Sequence, residues 1–195
     1  MPTRWQFVLA SAVLARVVAA PLVYSSHANT HHRNFRVVED GVLYRSGQLT
    51  PTGLDRAIRE KGIKLVVSLR GARRHGDDAP DDWEQLFCES RGVRYERLEP
   101  RVWGQDEKGE IPADKNVSKF VGFMADERNH PVLVHCFAGI HRTGTMCAIF
   151  RMEYHGWTPE RAMTEMQHYG FAPEDMHQHI ARYLKEYKPR GKTKQ

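Results

Sequence analysis

Cys136 and Arg142 stand six residues apart, and Thr143 and Gly144 follow the arginine directly. These types suit phosphoryl transfer through sulfur. An ionised thiol is a nucleophile, and a planar guanidinium fork matches two phosphate oxygens. The segment between them follows a Val-rich run and precedes a helical pattern. A loop in that position can turn its backbone N–H groups onto one point, reinforced by the helix N-terminus. The same field acts on the thiol. A free cysteine has a pKa of about 8.5, which falls by several units at a helix N-terminus beside a cation. Cys136 is therefore expected to be a thiolate at neutral pH, placed for in-line attack on phosphorus. The Thr143 hydroxyl is close enough in sequence to donate to that sulfur and to steady it as a leaving group. Phe137, Ala138, Gly139, Ile140, His141 and Arg142 would wrap the anion, with Gly139 and Gly144 suited to tight turns and close packing. An inert core cysteine would explain neither Arg142 and Thr143 nor the two glycines.

Such a loop needs a sheet and a helix to hold it. Residues 35–39 and 42–46 flank Asp40-Gly41, a hairpin signal. Pro51 opens a helix to about Lys61, and Gly62 stops it. Residues 64–69 (KLVVSL) form a continuous apolar run, the mark of a strand covered on both faces. Further strands are expected over 93–98 and 131–135 (PVLVH), and helices over 80–91, 112–128, 142–155, 159–169 and 173–187. This alternation predicts an α/β domain with a mostly parallel central sheet flanked by helices. Ligands bind such sheets outside the carboxyl ends of the strands, which is where Cys136 falls.

The chain has 195 residues, room for one domain with a sizeable core. Its net charge of +5 resides at the ends. Residues 1–34 hold Arg4, Arg16 and Arg33 and no acid, and residues 188–195 hold four basic residues and no acid. Without those seven the body carries −2, so no nucleic-acid partner is expected. Three cysteines and eleven scattered histidines show no metal-ligand spacing, so neither metal nor cofactor is expected. Residues 7–24 are rich in Val, Ala and Leu behind Arg4, which suggests an export signal or membrane anchor, with small residues for cleavage after Ala28. Arg16 within that run leaves an amphipathic helix as the alternative. The organisation expected is a signal or anchor plus linker over 1–34, a domain over 35–187, and a basic tail over 188–195. A monomer, exported or membrane-associated, is the corresponding expectation.

HCFAGIHRTG at 135–144 resembles the signature of the protein tyrosine phosphatase superfamily: His-Cys, five residues, Arg, Thr or Ser, Gly. The order of elements is similar to the compact dual-specificity branch over most of 35–187. LYRSGQ at 43–48 and NHPVLV at 129–134 look like segments of its atypical members. The resemblance implies a cysteine-dependent phosphomonoesterase with Cys136 as nucleophile, Arg142 as phosphate clamp and no metal. It also implies an Asp general acid on a mobile loop about thirty residues before the cysteine. Asp106, at thirty, is preferred over Asp114, at twenty-two, which also suits the start of a helix. Asp77, Asp78, Asp81 and Asp82 read as a solvated helix start. Relatives that cleave inositol pyrophosphates carry a lysine where this chain has Ile140. Only His141 is potentially basic among the loop residues before Arg142. A phosphomonoester such as phosphotyrosine is therefore the expected partner. Arg45, Arg70, Arg73 and Arg74 are candidates for outer positive charge. Cys88 and Cys147 read as core residues, with oxidative pairing to Cys136 as the alternative. Two further readings are a non-catalytic phosphate-binding module of this fold and a sulfur-transfer enzyme. Arg142-Thr143-Gly144 argues against the latter.

Overall fold

The computed structural model describes residues 32–71, 82–172 and 177–190, together with Trp5 and residues 13–19. Five strands form one sheet: β1 (Arg36–Glu39), β2 (Leu43–Ser46), β3 (Leu65–Ser68), β4 (Arg94–Arg97) and β5 (Val132–His135). Their spatial order is β1-β2-β5-β3-β4. The β1–β2 pair is the antiparallel hairpin, and the pairings of β2 with β5, β5 with β3, and β3 with β4 are all parallel. The carboxyl ends of β2, β3, β4 and β5 therefore share one edge, with β5 in the middle.

Successive strand side chains take opposite faces. Leu43, Leu65, Val67, Val132 and Val134 belong to the larger core cluster, and Tyr44, Val66 and Leu133 to the smaller. The smaller face is covered by α1 (Pro51–Lys61) and α2 (Asp82–Ser90), the larger by α3 (Asp114–Ala125), α4 (His141–His155), α5 (Pro159–His168) and α6 (Gln178–Glu186). In α4 every residue from 143 to 150 is buried, because α3, α5, α6 and the sheet enclose it. Helix α1 begins as its sequence indicates. Thr50 Oγ1 accepts from the Gly53 N–H, and Gly62 ends the helix at φ 63°, a left-handed conformation that favours glycine.

The expected elements are present with narrower bounds. The helix expected over 112–128 ends at Ala125, because Asp126 is extended and its side chain caps a separate 3₁₀ turn, Glu127–Asn129, by accepting from the Arg128 N–H. Helix α6 begins at Gln178. The starts expected at residues 80 and 173 lie outside the described residues. So do Asp77, Asp78, Asp81, Arg73 and Arg74, residues 191–195 and most of the apolar run at 7–24. Within that run residues 15–19 form a π-helical turn. No helix among the described residues is long and apolar enough to cross a membrane.

Candidate active site

Cys136 follows β5 at the centre of the shared edge, and its neighbours come from the ends of the flanking strands. Gly47 and Gln48 follow β2, Leu69 and Arg70 follow β3, and Leu98 to Arg101 follow β4. The Leu69 N–H donates to the His135 carbonyl at 2.8 Å, and the Leu69 carbonyl accepts from Arg142 Nη1 at 2.6 Å. One residue of the β3 end thus fixes both the strand before the cysteine and the arginine after it. Leu69, Leu98, Pro100, Arg101, Trp103, Ala113, Asn116 and Met146 line a shallow cleft beside Arg142.

The loop between Cys136 and Arg142 is held by its carbonyls, from outside. Phe137 O accepts from the Gln48 N–H at 3.0 Å, Ala138 O from Asn34 Nδ2 at 2.8 Å, and Gly139 O from Arg45 Nη2 at 2.7 Å. Three consecutive carbonyls are therefore engaged on the hairpin side. The Gly139 N–H faces the other way and donates to Cys136 Sγ at 3.2 Å. Gly139 has φ 75°, and a Cβ there would lie 2.4 Å from the Gly47 N. The two segments approach so closely that glycine is needed on both. A Cβ on Gly47 would meet the Phe137 carbonyl oxygen at 2.9 Å and the Ala138 carbonyl carbon at 3.0 Å. Gly47→Ala is expected to cost about 1–3 kcal/mol, the usual range for overpacking, and to weaken binding of inorganic phosphate. Urea unfolding and phosphate titration measure the two effects, and an unchanged phosphate constant would contradict the close approach.

Burial raises the pKa of the Cys136 thiol, but the Thr143 hydroxyl and amide, the charge of Arg142 and the Gly139 amide together outweigh it. The net position lies below the ordinary thiol value. The other two thiols go the opposite way. Burial, then Glu84 and Glu89, pushes Cys88 up to about 12, and burial foremost pushes Cys147 up to about 11. All three are free. Cys88 lies in the core on the face away from Cys136, whereas Cys147 shares the core of Cys136. Both side chains are buried in the core.

His135 precedes Cys136 yet points to the opposite face of the sheet. There its Nε2 lies 3.0 Å from Glu84 Oε2 of α2, both side chains 1% exposed. Gln48 Nε2 donates to Glu84 Oε1 at 3.2 Å, and Arg70 Nη1 donates to Gln48 Oε1 at 2.9 Å. A polar chain thus runs from the rim to the residue behind the cysteine. Glu84 and Gln48 carry no sequence signal for this, since one sits in an amphipathic helix pattern and the other in a loop.

The loop itself has no lysine, but the structure brings arginines to its rim. Ile140 packs onto the larger core. Phe137 is 50% exposed, with the Arg33 guanidinium 3.9 Å and that of Arg70 5.4 Å from its ring centre. Arg33 and Asn34, read from sequence as the end of a linker, make contacts to this loop. Arg45 is not an outer charge: it is buried beneath the loop. The His141 ring stacks 3.9 Å from that of His177, and burial, then His177 and Arg142, lower its pKa. That lowering favours its neutral form.

The two acid candidates sit near the cleft without lining it. Asp106 is exposed, and its Oδ1 accepts from the Lys108 and Glu110 N–H groups at 2.9 Å each. Its loop is anchored at both ends, by buried Trp103 against Tyr183 and by the Ala113 N–H donating to the Val102 carbonyl at 3.0 Å. Asp114 accepts from the Tyr183 hydroxyl at 2.6 Å. Asp82 starts α2 and pairs with Arg97 at 2.6 Å, the solvated helix start expected of it.

The model for DSP-PTPase phosphatase fused to NAD+ kinase matches residues 13–182. The chain belongs to this dual-specificity, protein-tyrosine-phosphatase family. TpbA of Pseudomonas aeruginosa, a dual specificity protein phosphatase, is 43% identical over 62 residues, 32% of this chain and 28% of TpbA. The inositol diphosphatase DSP3 of Arabidopsis thaliana is 27% identical over 138 residues, 69% of this chain and 61% of that protein. These matches thus span less than two thirds of either relative. The crystal structure of a cysteine-to-serine TpbA variant in complex with pTyr aligns with a TM-score of 0.61 at 25% identity, covering 80% of this chain and 86% of the other. The α/β phosphatase fold expected from the sequence is therefore that of the family.

Proposed function

We propose that the chain is a cysteine-dependent phosphomonoesterase that works through a cysteinyl-phosphate. The observation that carries this reading is the loop itself. Its carbonyls are tied outward, and its one in-facing sulfur is held toward the thiolate by an amide, a hydroxyl and a guanidinium. Cys136 Sγ attacks phosphorus, the P–O ester bond breaks, and the leaving oxygen takes a proton. Water then attacks phosphorus, the P–S bond breaks, and inorganic phosphate leaves with the thiolate restored. Arg142 and the loop amides hold the equatorial oxygens in both steps. Thr143 steadies the thiolate as it departs.

Asp106 is the proposed acid, and once ionised it activates the water. Its Oδ1 is engaged in its own turn, so proton delivery requires this loop to swing toward Arg142 about its anchors at Trp103 and Ala113. Asp106→Asn should lower kcat on phosphotyrosine by about 10²–10³-fold, within the range for general acids, while Asp114→Asn acts on stability through Tyr183. If the Asp114 variant instead takes the larger kinetic loss, the acid is Asp114.

Phosphotyrosine is the proposed substrate class, in keeping with the pTyr complex of TpbA. A specific observation favours inositol pyrophosphates or phosphoinositides as the second reading: Arg33 and Arg70 flank Phe137 at the rim. Phosphate release from phosphotyrosine, phosphoserine, phosphoinositide and inositol pyrophosphate panels tests both. No release from any panel, with Cys136 still alkylatable, would support a phosphate-binding module instead. We also propose membrane association through residues 7–24. The exposed side chains of Trp5, Val13, Leu14, Val17 and Val18 support it, and membrane flotation of the full chain against one lacking residues 1–24 tests it.

A further inference from the structure

Arg45 sits in the middle of β2, opposite Val134 of β5, and is only 2% exposed. Buried arginines are almost always paired with a carboxylate. This one is not. Among the described residues its guanidinium makes one hydrogen bond, to the Gly139 carbonyl at 2.7 Å, and its Nε has no partner. One face lies 4.8 Å from the centre of the Tyr169 ring, which Arg36 approaches at the same distance. Glu165, whose charge acts with that of Arg45 on Cys147, is paired with Arg151 at 2.8 Å. Nη2 stands 3.6 Å from where a Cβ on Gly144 would be, at the first turn of α4. Gly139 accordingly carries a cation on its carbonyl and the Cys136 sulfur on its amide.

We propose that Arg45 is a positioning residue whose counter-ion is the anion of the loop, the Cys136 thiolate at rest and the bound phosphate during turnover. The identity of that phosphate rests on the phosphatase reading; the charge pairing rests on geometry. Arg142 reaches the anion from the β3 side, fixed by Leu69, and Arg45 acts from the β2 side through the loop backbone. The other groups facing the sulfur are neutral or already paired. Thr143 and Gly139 donate, Cys147 below stays protonated, and His135 turns to Glu84.

The test uses the full chain, iodoacetamide alkylation of Cys136 against pH, and binding of inorganic phosphate by thermal shift. Arg45→Gln keeps an N–H donor for the Gly139 carbonyl and removes the charge. It should move the alkylation profile up by about one pH unit or more and weaken phosphate at least about tenfold. Arg45→Lys restores the charge and should stay within about threefold of wild type in phosphate binding. A Gln variant with the wild-type profile and phosphate response overturns the proposal, as does a Lys variant as impaired as Gln. If the Gln variant does not fold, the Lys variant decides alone: phosphate binding weaker than wild type by more than about threefold overturns the proposal. Neither readout uses turnover, so an inactive wild-type chain would count against the phosphatase reading and leave the Arg45 result to stand or fall separately.

Discussion

Replacing Cys136 with serine is expected to abolish turnover, by on the order of 10⁵-fold or more, while leaving phosphate binding nearly intact. Thiol and hydroxyl differ little in size here, and the loop carbonyls tied to Asn34, Arg45 and Gln48 do not involve the side chain at 136. The cradle therefore survives. Reactivity does not, because the Cys136 thiol is held toward its ionised form by its surroundings and a serine hydroxyl is far harder to ionise. A serine nucleophile needs an adjacent base. The nearest histidine in sequence, His135, faces the other side of the sheet and is bound to Glu84. Rapid-quench trapping of the phosphoenzyme with wild-type and Cys136→Ser chains, alongside phosphate titration, measures both halves. A serine variant retaining more than a hundredth of wild-type kcat would remove Cys136 from the nucleophile's role.

The second large effect is expected at Arg142. Arg142→Ala should lower kcat/KM by about 10³-fold, in the range for losing a charged transition-state donor. Arg142→Lys should recover little of it. One guanidinium nitrogen is committed to the Leu69 carbonyl at 2.6 Å, which sets the plane of the fork and leaves the remaining donors for phosphate. An ammonium on a flexible stem has no such plane. Arg142→Ala should also raise the pH at which Cys136 is alkylated, since the Arg142 charge is among the causes that lower it. A lysine variant with near-wild-type kcat/KM would show that charge alone suffices.

The parts legible in the sequence are those written in short-range patterns. Asp40-Gly41 marks the hairpin, Gly62 ends α1, and continuous apolar runs mark β3 and β5 because both of their faces are covered. Cys136, Arg142 and Thr143 are close in sequence, so they are visible there as a group. What holds them is not. Asn34 and Ala138 are 104 residues apart, and Arg45 and Gly139 are 94 apart. An arginine within a short strand reads as solvent-facing, and only the sheet order reveals that β2 adjoins β5 with α4 above it. Glu84 has the pattern of a surface acid until His135 is found across from it. The end of α3 was hidden for the opposite reason. Periodicity continues past Ala125, but a local hydrogen bond from Arg128 to Asp126 diverts the backbone.

The three outward ties on the loop after Cys136 also set a lower limit on how far the chain can be shortened around this site. A truncation beginning at residue 49 would retain Cys136, Arg142, Thr143, the whole of α4 and both acid candidates. It would have lost every donor that turns the carbonyls of residues 137–139 away from the anion. Such a fragment would keep the letters of the signature without their grammar. A single protease nick that freed residues 32–48 would accordingly act as an off-switch from well outside the signature.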